Sequence, residues 1–437
     1  MRYTPNPEPV VREMLNFIGC KDLKELFNDI PEALKLKGNL DLKSGLSEIE
    51  LQSHLKQLAG LNMNVNEYPC FLGAGAYDHF IPAVIDQLLL RSEFYTSYTP
   101  YQPEISQGVL QAIFEYQTMI CNLTGMDVSN ASVYDGGSAL AEACTLACLH
   151  TKRKKVLIPD NVHPEYIRVV QSYAISGIME IVVLPTNEGI LDINVLNSGT
   201  EKDVACVVVQ QPNFYGIIEN ITQVEQLVHE NKSLLIMAVD PISLGVLKSP
   251  REWNADIAVG EGQPLGNSLS FGGPYLGFLA ATNKLLRKIP GRIVGQAQDK
   301  EGKRSFVLTL QAREQHIRRE KAASNICSNQ ALNALAATMY LAYVGPQGLK
   351  EVALRSHQLA AYAQKQLAAK GITLKYEQPF FKEFVIQVDN PASINQKLLE
   401  NGIIGGYELE KGLMLAFTEK RTKDEIDKLV AVIGGEH

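Results

Sequence analysis

The hydrophobic pattern changes in character along the chain. Residues 1–60 are rich in helix formers with little β-branched character, and Asp22 and Ser47 stand where helix N-caps are expected. From about residue 66 to residue 330, short apolar runs alternate with helical segments, and these runs lie at 131–134, 155–159, 180–184, 204–209, 234–239, 257–260 and 276–281. Near-continuous apolar runs are typical of strands buried on both faces. The pattern therefore predicts a seven-stranded, mostly parallel sheet covered by helices.

The C-terminal part shows the same alternation on a smaller scale. A helix-forming stretch covers about 328–370, strands are predicted at 383–388 and 413–417, and helices at 391–401 and from Thr422 onward. The segment 283–288 is predicted to be an amphipathic helix. We thus expect three parts: an N-terminal helical arm (1–65), a large α/β domain (66–330) and a small α/β domain (331–437).

Composition and charge exclude several classes of protein. The chain has 437 residues, of which 46% are apolar, so we expect large hydrophobic cores. Its net charge of −7 argues against a nucleic-acid partner. No uninterrupted apolar stretch of about 18 residues occurs and the N-terminus lacks a secretory pattern, which predicts a cytoplasmic protein without a membrane span. The seven cysteines are scattered, and only Cys144 and Cys148 have helix spacing. We expect buried free thiols and neither a metal site nor a disulfide framework.

Candidate chemistry lies at the ends of the predicted strands. Gly136, Gly137 and Ser138 begin a helix, where free N–H groups can hold a phosphate; alternatively, the glycines only permit a tight turn and Ser138 caps the helix. His163 follows another strand and offers an imidazole to a flat ring, although such a residue is more often a cap. Asp240 ends the strand 234–239, at the edge where open α/β sheets bind ligands. In this order, the three features indicate the sheet of pyridoxal phosphate (PLP) transferases.

An enzyme of that kind needs a lysine that bonds to the cofactor, usually soon after the strand that follows the aspartate. The segment 255–274 contains no lysine. Lys248 precedes that strand, and Lys284 and Lys288 follow the next one. A chain with this outline and no such lysine should not perform PLP chemistry alone.

Seven stretches carry a more specific resemblance, at 2–6, 29–31, 71–82, 98–108, 260–266, 290–295 and 310–327. Through them, nearly the whole chain is similar to the N-terminal half of the glycine cleavage system P-protein, which is a separate subunit in many bacteria. The resemblance implies the type I fold of PLP transferases. The family's catalytic subunit carries a His-Lys pair in the segment matching 255–274, where this chain has Gln263 and Pro264.

The resemblance also implies a function. It indicates the lysine-less subunit of a two-subunit glycine decarboxylase, with PLP held by the partner subunit and α2β2 as the expected assembly. Glycine would lose its carboxyl group as CO2, and its aminomethyl group would pass to lipoyl-lysine of the H-protein. Two other functions stay open: a self-sufficient PLP-dependent lyase or transferase, and a structural or regulatory partner that contributes nothing to a pocket.

Two segments are predicted to reach the partner's cofactor pocket across the interface. In the first, Tyr95, Tyr98, Tyr101 and Gln102 offer polar donors between prolines. In the second, Ser324 and Asn325 precede a helix and suit a phosphate. The alternatives are a tyrosine-rich packed interface and, for the charges at 313–321, a solvated helix face. No catalytic residue is expected in this chain alone, and the sequence leaves open whether the pocket around Asp240 binds anything.

Overall fold

The computed structural model describes residues 6–100, 102–322 and 324–435. The chain forms two compact units that meet in sequence between Met63 and Asn64. The helices are α1 Glu8–Ile18, α2 Glu48–Ala59, α3 Ala83–Leu89, α4 Ser92–Tyr95, α5 Gln107–Thr124, α6 Gly136–Thr151, α7 Pro164–Ala174, α8 Ile193–Gly199, α9 Thr222–Glu230, α10 Gln315–Arg318, α11 Ala331–Ala369, α12 Pro391–Glu400 and α13 Lys423–Ile433. The strands are β1 Val128–Ser129, β2 Lys155–Pro159, β3 Glu180–Leu184, β4 Thr186–Asn187, β5 Ile190–Leu191, β6 Val204–Gln211, β7 Leu234–Val239, β8 Ile257–Glu261, β9 Gly277–Ala281, β10 Ile293–Gln298, β11 Arg304–Thr309, β12 Glu383–Gln387, β13 Tyr407–Leu409 and β14 Gly412–Ala416.

The N-terminal unit is helical and has almost no core of its own. Ser47 and Glu50 form a capping box at the start of α2, as the sequence indicates, whereas Asp22 caps a short 3₁₀ turn. Among residues 6–63, only Leu15 is buried. Large apolar side chains such as Phe17 and Ile49 are 91% and 83% exposed. This unit therefore presents apolar surface that nothing within residues 6–63 covers.

The second unit is built on a seven-stranded sheet, which confirms the predicted fold class. Its strand order is β1-β9-β8-β7-β6-β2-β3. The pairs from β3 to β8 are parallel, while β9 runs antiparallel to both β8 and β1. Every residue of β8 and β9 is buried, as expected for strands covered on both faces.

Helix α6 lies against the centre of this sheet. It contacts β8, β9 and α7, and its residues from Gly136 to Cys148 are all buried. Asp135 caps it by accepting a hydrogen bond from the Ser138 N–H at 2.7 Å. The interpretation of Ser138 as the cap is therefore wrong by three residues, because the acceptor must precede the first turn.

A second, smaller sheet has the strand order β12-β14-β13 and packs with α12, α13 and the second half of α11. Helix α11 is broken at Gly345, whose φ of 60° and ψ of −176° are not helical, and Pro346 follows it. This break separates the first half of α11 from the second half, which packs against the small sheet. The predicted domain boundaries at 65/66 and 330/331 stay predictions.

Several local predictions are wrong. The first strand is Val128–Ser129 rather than 131–134, where only Val133 makes an isolated bridge to Gly277. The segment 283–288 contains a 3₁₀ turn at Asn283–Leu285, not an amphipathic helix. The pattern also missed the β10–β11 hairpin and strand β13, because β10 and β11 are only partly buried and β13 has three residues. The seven cysteines are free; Cys144, Cys148 and Cys206 are buried, but Cys327 is exposed.

Candidate functional site

The ends of β2, β7 and β8 and the start of α6 converge on one pocket, here called the Asp240 pocket. Asp240 directly follows β7, Glu261 ends β8 and His163 begins the turn into α7. The remaining cavity is only about 40 Å³ and is lined by these residues together with Tyr77, Lys382 and Pro264. A volume of that size holds a few water molecules.

Lys382 is the cation of this pocket. Its Nζ lies 2.8 Å from Oδ2 of Asp240, 2.9 Å from Nε2 of His79 and 3.5 Å from the centroid of the Tyr77 ring. The side chain of Lys382 is only 1% exposed. Its three N–H donors thus meet a carboxylate, an imidazole and an aromatic face, which is the partnering that a buried ammonium requires.

His79 extends the network toward the small sheet. Its Nδ1 lies 2.6 Å from Oε2 of Glu419, and burial together with the Lys382 charge lowers the pKa of His79. A neutral ring that donates Nδ1–H to Glu419 and accepts from Lys382 at Nε2 satisfies both contacts. Asp78, the neighbouring residue, binds Lys420 at 2.6 Å. The loop 73–79 is therefore tied to the segment that follows β14.

Glu261 occupies the N-terminal end of α6. Its Oε2 accepts from the Gly136 N–H at 3.0 Å, and its Oε1 accepts from the N–H groups of Gln263 at 2.9 Å and Leu276 at 2.8 Å. A carboxylate is favourable at this end of a helix. Burial nevertheless outweighs these hydrogen bonds and raises the pKa of Glu261 to about 7.

The imidazole of His163 already stacks on a ring. Tyr166 lies 4.5 Å from it, centroid to centroid, at an interplanar angle of 14°. The backbone of Gly75 also approaches the imidazole so closely that a Cβ there would lie 2.7 Å from it. His163 donates from Nε2 to the Ala74 carbonyl at 3.0 Å and accepts at Nδ1 from the Glu165 N–H.

Gln263 and Pro264 help to close the pocket. The Gln263 side chain accepts from the Tyr77 N–H at 2.9 Å and donates to the Tyr77 carbonyl at 3.0 Å, which holds the loop 73–79 in place. Pro264 lines the cavity beside it. The Tyr77 hydroxyl in turn donates to Glu383 at 2.5 Å, and burial raises the pKa of Glu383 to about 7.

Comparison with known proteins identifies the family. The model of the glycine cleavage system P-protein family matches residues 1–433 of the chain. The chain belongs to the glycine cleavage system P-protein family. A probable glycine dehydrogenase (decarboxylating) subunit 1 from Syntrophomonas wolfei is 65% identical over 436 residues, covering 100% of both chains. The subunit 1 of Carboxydothermus hydrogenoformans is 57% identical over 443 residues, again covering 100% of both.

Solved structures agree with the P-protein assignment. A crystal structure of glycine decarboxylase (P-protein) of the glycine cleavage system, in inhibitor-bound form, superposes with a TM-score of 0.91 at 41% identity and covers 100% of both chains. A sphingosine-1-phosphate lyase from Burkholderia pseudomallei gives a TM-score of 0.68 at 13% identity, covering 93% of this chain and 94% of that one. The second likeness concerns the fold alone.

The residues of the Asp240 pocket do not fit PLP. The segment 255–274 of this P-protein chain has no lysine, Asp240 is paired with Lys382, and Glu261 takes the N–H group at the start of α6. Ligand pockets usually enclose hundreds of Å³, against about 40 Å³ here.

A second and much larger cavity, of about 980 Å³, lies elsewhere on the unit. Thr99 and Pro100 line it together with Ser324 and Asn325, so the two predicted segments meet although more than 200 residues separate them. The described lining residues include six arginines and lysines but two carboxylates; the cations are Arg287, Lys288, Arg292, Arg318, Arg319 and Lys321. This large cavity suits an anionic group.

The individual predicted residues differ in their placement. Tyr95 and Tyr98 are 69% and 72% exposed, and Tyr98 lines a small apolar cavity beside α5. Gln102 is exposed, as is Asn325 in the large cavity. The Ser324 hydroxyl donates to Oε1 of Glu142 at 3.0 Å. Tyr101 lies outside the described residues.

Sequence reasoning missed the residues that fill the Asp240 pocket, namely Lys382, Glu261, Tyr77 and Tyr166. A signal existed for Lys382, since it stands in the run Phe-Phe-Lys-Glu-Phe, where a charge is buried only if it is paired. Tyr166 gave no such signal, because a tyrosine in an amphipathic helix is ordinarily part of a core. No helix among the described residues is both long and apolar enough to cross a membrane.

Proposed function

We propose that this chain is the lysine-less subunit of a two-subunit glycine decarboxylase. With a PLP-bearing partner subunit, it decarboxylates glycine, releases CO2 and passes the aminomethyl group to lipoyl-lysine of the H-protein. Membership of the P-protein family and the names of the relatives, glycine dehydrogenase (decarboxylating) subunit 1, support this assignment. The word subunit in those names supports a partner chain.

The observation that carries the proposal is the occupied Asp240 pocket. A chain with the P-protein fold but with Lys382 on Asp240 and no lysine in 255–274 cannot bond the cofactor in its own pocket. Lys382 itself is unsuited to that role. Its Nζ lies at the carboxylate that faces the ring nitrogen in PLP transferases, whereas the aldehyde carbon that bonds to lysine is attached to the ring carbon para to that nitrogen. PLP is therefore assigned to the partner subunit.

This chain contributes to the partner's pocket through the large cavity. Its excess of cationic side chains favours a phosphate or a substrate carboxylate, and Ser324 and Asn325 line it. Tyr95, Tyr98 and Gln102 lie close in sequence to residues 99–100, which line this cavity, and we assign these side chains, together with that of Tyr101, to the interface. The cofactor supplies the electron sink for decarboxylation when it is bound to the partner. The residues of this chain orient the small substrate and exclude water.

The exposed apolar surface supports a lasting association. The N-terminal unit buries only Leu15 among its described residues, and Phe271 in the second unit is 81% exposed. Ser270 and Phe271 both have positive φ, of 43° and 51°, a strained conformation for residues other than glycine. Large exposed apolar patches mark interaction sites, and obligate interfaces bury more than about 2,000 Å². We propose an αβ pair that doubles to α2β2.

Reconstitution tests the proposal. The purified chain is supplied with PLP, glycine and lipoylated H-protein, and exchange of labelled CO2 into glycine is measured with and without the PLP-bearing partner. Activity is expected only with both subunits. Activity of this chain alone, or a stoichiometric PLP–lysine adduct after borohydride reduction, would identify a self-sufficient PLP enzyme instead. Full activity of the partner alone would leave this chain a structural or regulatory role.

A further inference from the structure

The Asp240 pocket contains the same charges that a PLP molecule would bring to it. We infer that Lys382 and Glu261 are built-in replacements for the cofactor's ring-nitrogen cation and its phosphate, so that this chain carries a permanently self-occupied site. The inference goes beyond the proposed function, because it concerns a pocket that takes no part in the reaction.

The cationic half rests on the contacts of Lys382. The carboxylate of Asp240, placed at the end of a central parallel strand, faces an ammonium at 2.8 Å, and His79 accepts a second hydrogen bond at 2.9 Å. An unpaired carboxylate in this position, only 11% exposed, would carry a large desolvation cost. Lys382 removes that cost in the way that a protonated pyridine ring nitrogen would.

The anionic half rests on Glu261. The first turn of α6 begins with Gly136 and Gly137, and the first N–H groups of a helix have no partner within the helix, so that they can bind an anion. Glu261 reaches this turn from the end of β8 and accepts the Gly136 N–H at 3.0 Å. A larger side chain at position 136 is excluded, since a Cβ there would collide with the Tyr166 hydroxyl. The carboxylate thus stands in for a phosphate at a site that keeps its glycines.

The replacement also joins the two sheets of the unit. Lys382 directly precedes β12 of the small sheet, whereas Asp240 directly follows β7 of the large one. The two positions are far apart in the sequence, and the ion pair connects them inside the small Asp240 pocket. The chain's own side chains therefore connect the two sheets at this pocket.

The cationic half is tested by chemical replacement. Lys382→Ala is expected to lower the thermal unfolding midpoint of the isolated chain, and millimolar imidazole at about pH 6, where it is mostly a ring cation and is small enough for the space that the removed side chain leaves, is expected to restore about 2 °C or more. The wild-type chain and Lys365→Ala, an exposed change on α11, should show no such rise. Equal rises in all three proteins, or none in Lys382→Ala, would overturn the inference.

The anionic half has a parallel test with inorganic phosphate. Glu261→Ala exposes the Gly136 N–H, and phosphate should raise its unfolding midpoint by about 2 °C more than it raises that of the wild type, with sodium chloride at equal ionic strength as the reference. The same rise in both proteins indicates a general salt effect and contradicts the assignment of Glu261.

A double variant covers the case in which Lys382→Ala does not fold. Lys382→Met/Asp240→Asn removes both charges, and it should unfold at a higher temperature than Lys382→Met alone. If the double variant loses as much stability as the two single changes added together, the two charges do not compensate each other. Lys382 would then not be the replacement for a cofactor cation at Asp240. None of these measurements includes the partner subunit, so their failure leaves the proposed function intact.

Discussion

Removal of the buried carboxylate of Glu142 should stabilise the chain at alkaline pH and have little effect at acidic pH. Glu142 lies on α6 and is 3% exposed, and burial raises its pKa from 4.5 to about 7. Its Oε1 accepts from Ser324 at 3.0 Å and from Tyr173 at 3.4 Å. In Glu142→Gln the amide oxygen can accept both hydrogen bonds, so the change removes the charge and keeps the contacts.

The magnitude follows from proton linkage. The folded chain binds the Glu142 proton more tightly than the unfolded chain, so this group's contribution to stability falls as the pH rises from the unfolded pKa of 4.5 to the folded pKa of about 7, and then levels off. The interval of about 2.5 pKa units corresponds to about 3 kcal/mol at 1.36 kcal/mol per unit. Glu142→Gln has no carboxyl group to ionise at this position, so its stability does not fall for this reason.

Chemical unfolding of both proteins at pH 5, 6, 7 and 8 measures the effect. The stability of Glu142→Gln relative to the wild type should grow by about 3 kcal/mol between pH 5 and pH 8. Glu261 and Glu383 titrate in the same range but are common to both proteins, so their contributions cancel in the difference. Glu377→Gln, an exposed change, should give a flat difference. A flat difference for Glu142→Gln as well would refute the burial argument.

The remaining predictions concern the interface and the large cavity. Tyr98→Phe should lower CO2 exchange by the reconstituted enzyme about 5–150-fold if its hydroxyl donates to the cofactor phosphate or the substrate, and Tyr98→Ala should instead weaken assembly if the ring only packs. Phe271→Ser should weaken binding of the partner, measured by calorimetry, while the unfolding midpoint of the isolated chain stays unchanged, because Phe271 is 81% exposed. Ser324→Ala should destabilise the isolated chain by about 1 kcal/mol through the lost bond to Glu142. Asn325→Ala should leave that stability unchanged and reduce exchange only in the complex; an effect on the isolated chain would count against its role.

Local patterns in the sequence are sufficient for much of the fold. The runs at 155–159 and 234–239 coincide with β2 and β7, since buried parallel strands need apolar residues on both faces. The prediction fails where strands are short or half exposed, as in β1 and the β10–β11 hairpin. β1 depends on pairing with β9, which is far along the chain, whereas β10 and β11 pair with each other and are only partly buried, so neither case leaves a continuous apolar run in the sequence.

By itself, the sequence determined the family, the predominantly parallel sheet and the lack of a lysine in 255–274, because each is encoded in contiguous residues. Only the tertiary structure decided what fills the Asp240 pocket. Lys382 is 142 positions beyond Asp240, and their contact exists because the small sheet places the residue before β12 against the end of β7. The convergence of residues 99–100 and 324–325 on one cavity is of the same kind. A charge pair between distant segments depends on how the sheets pack, and no local pattern in the chain encodes that packing.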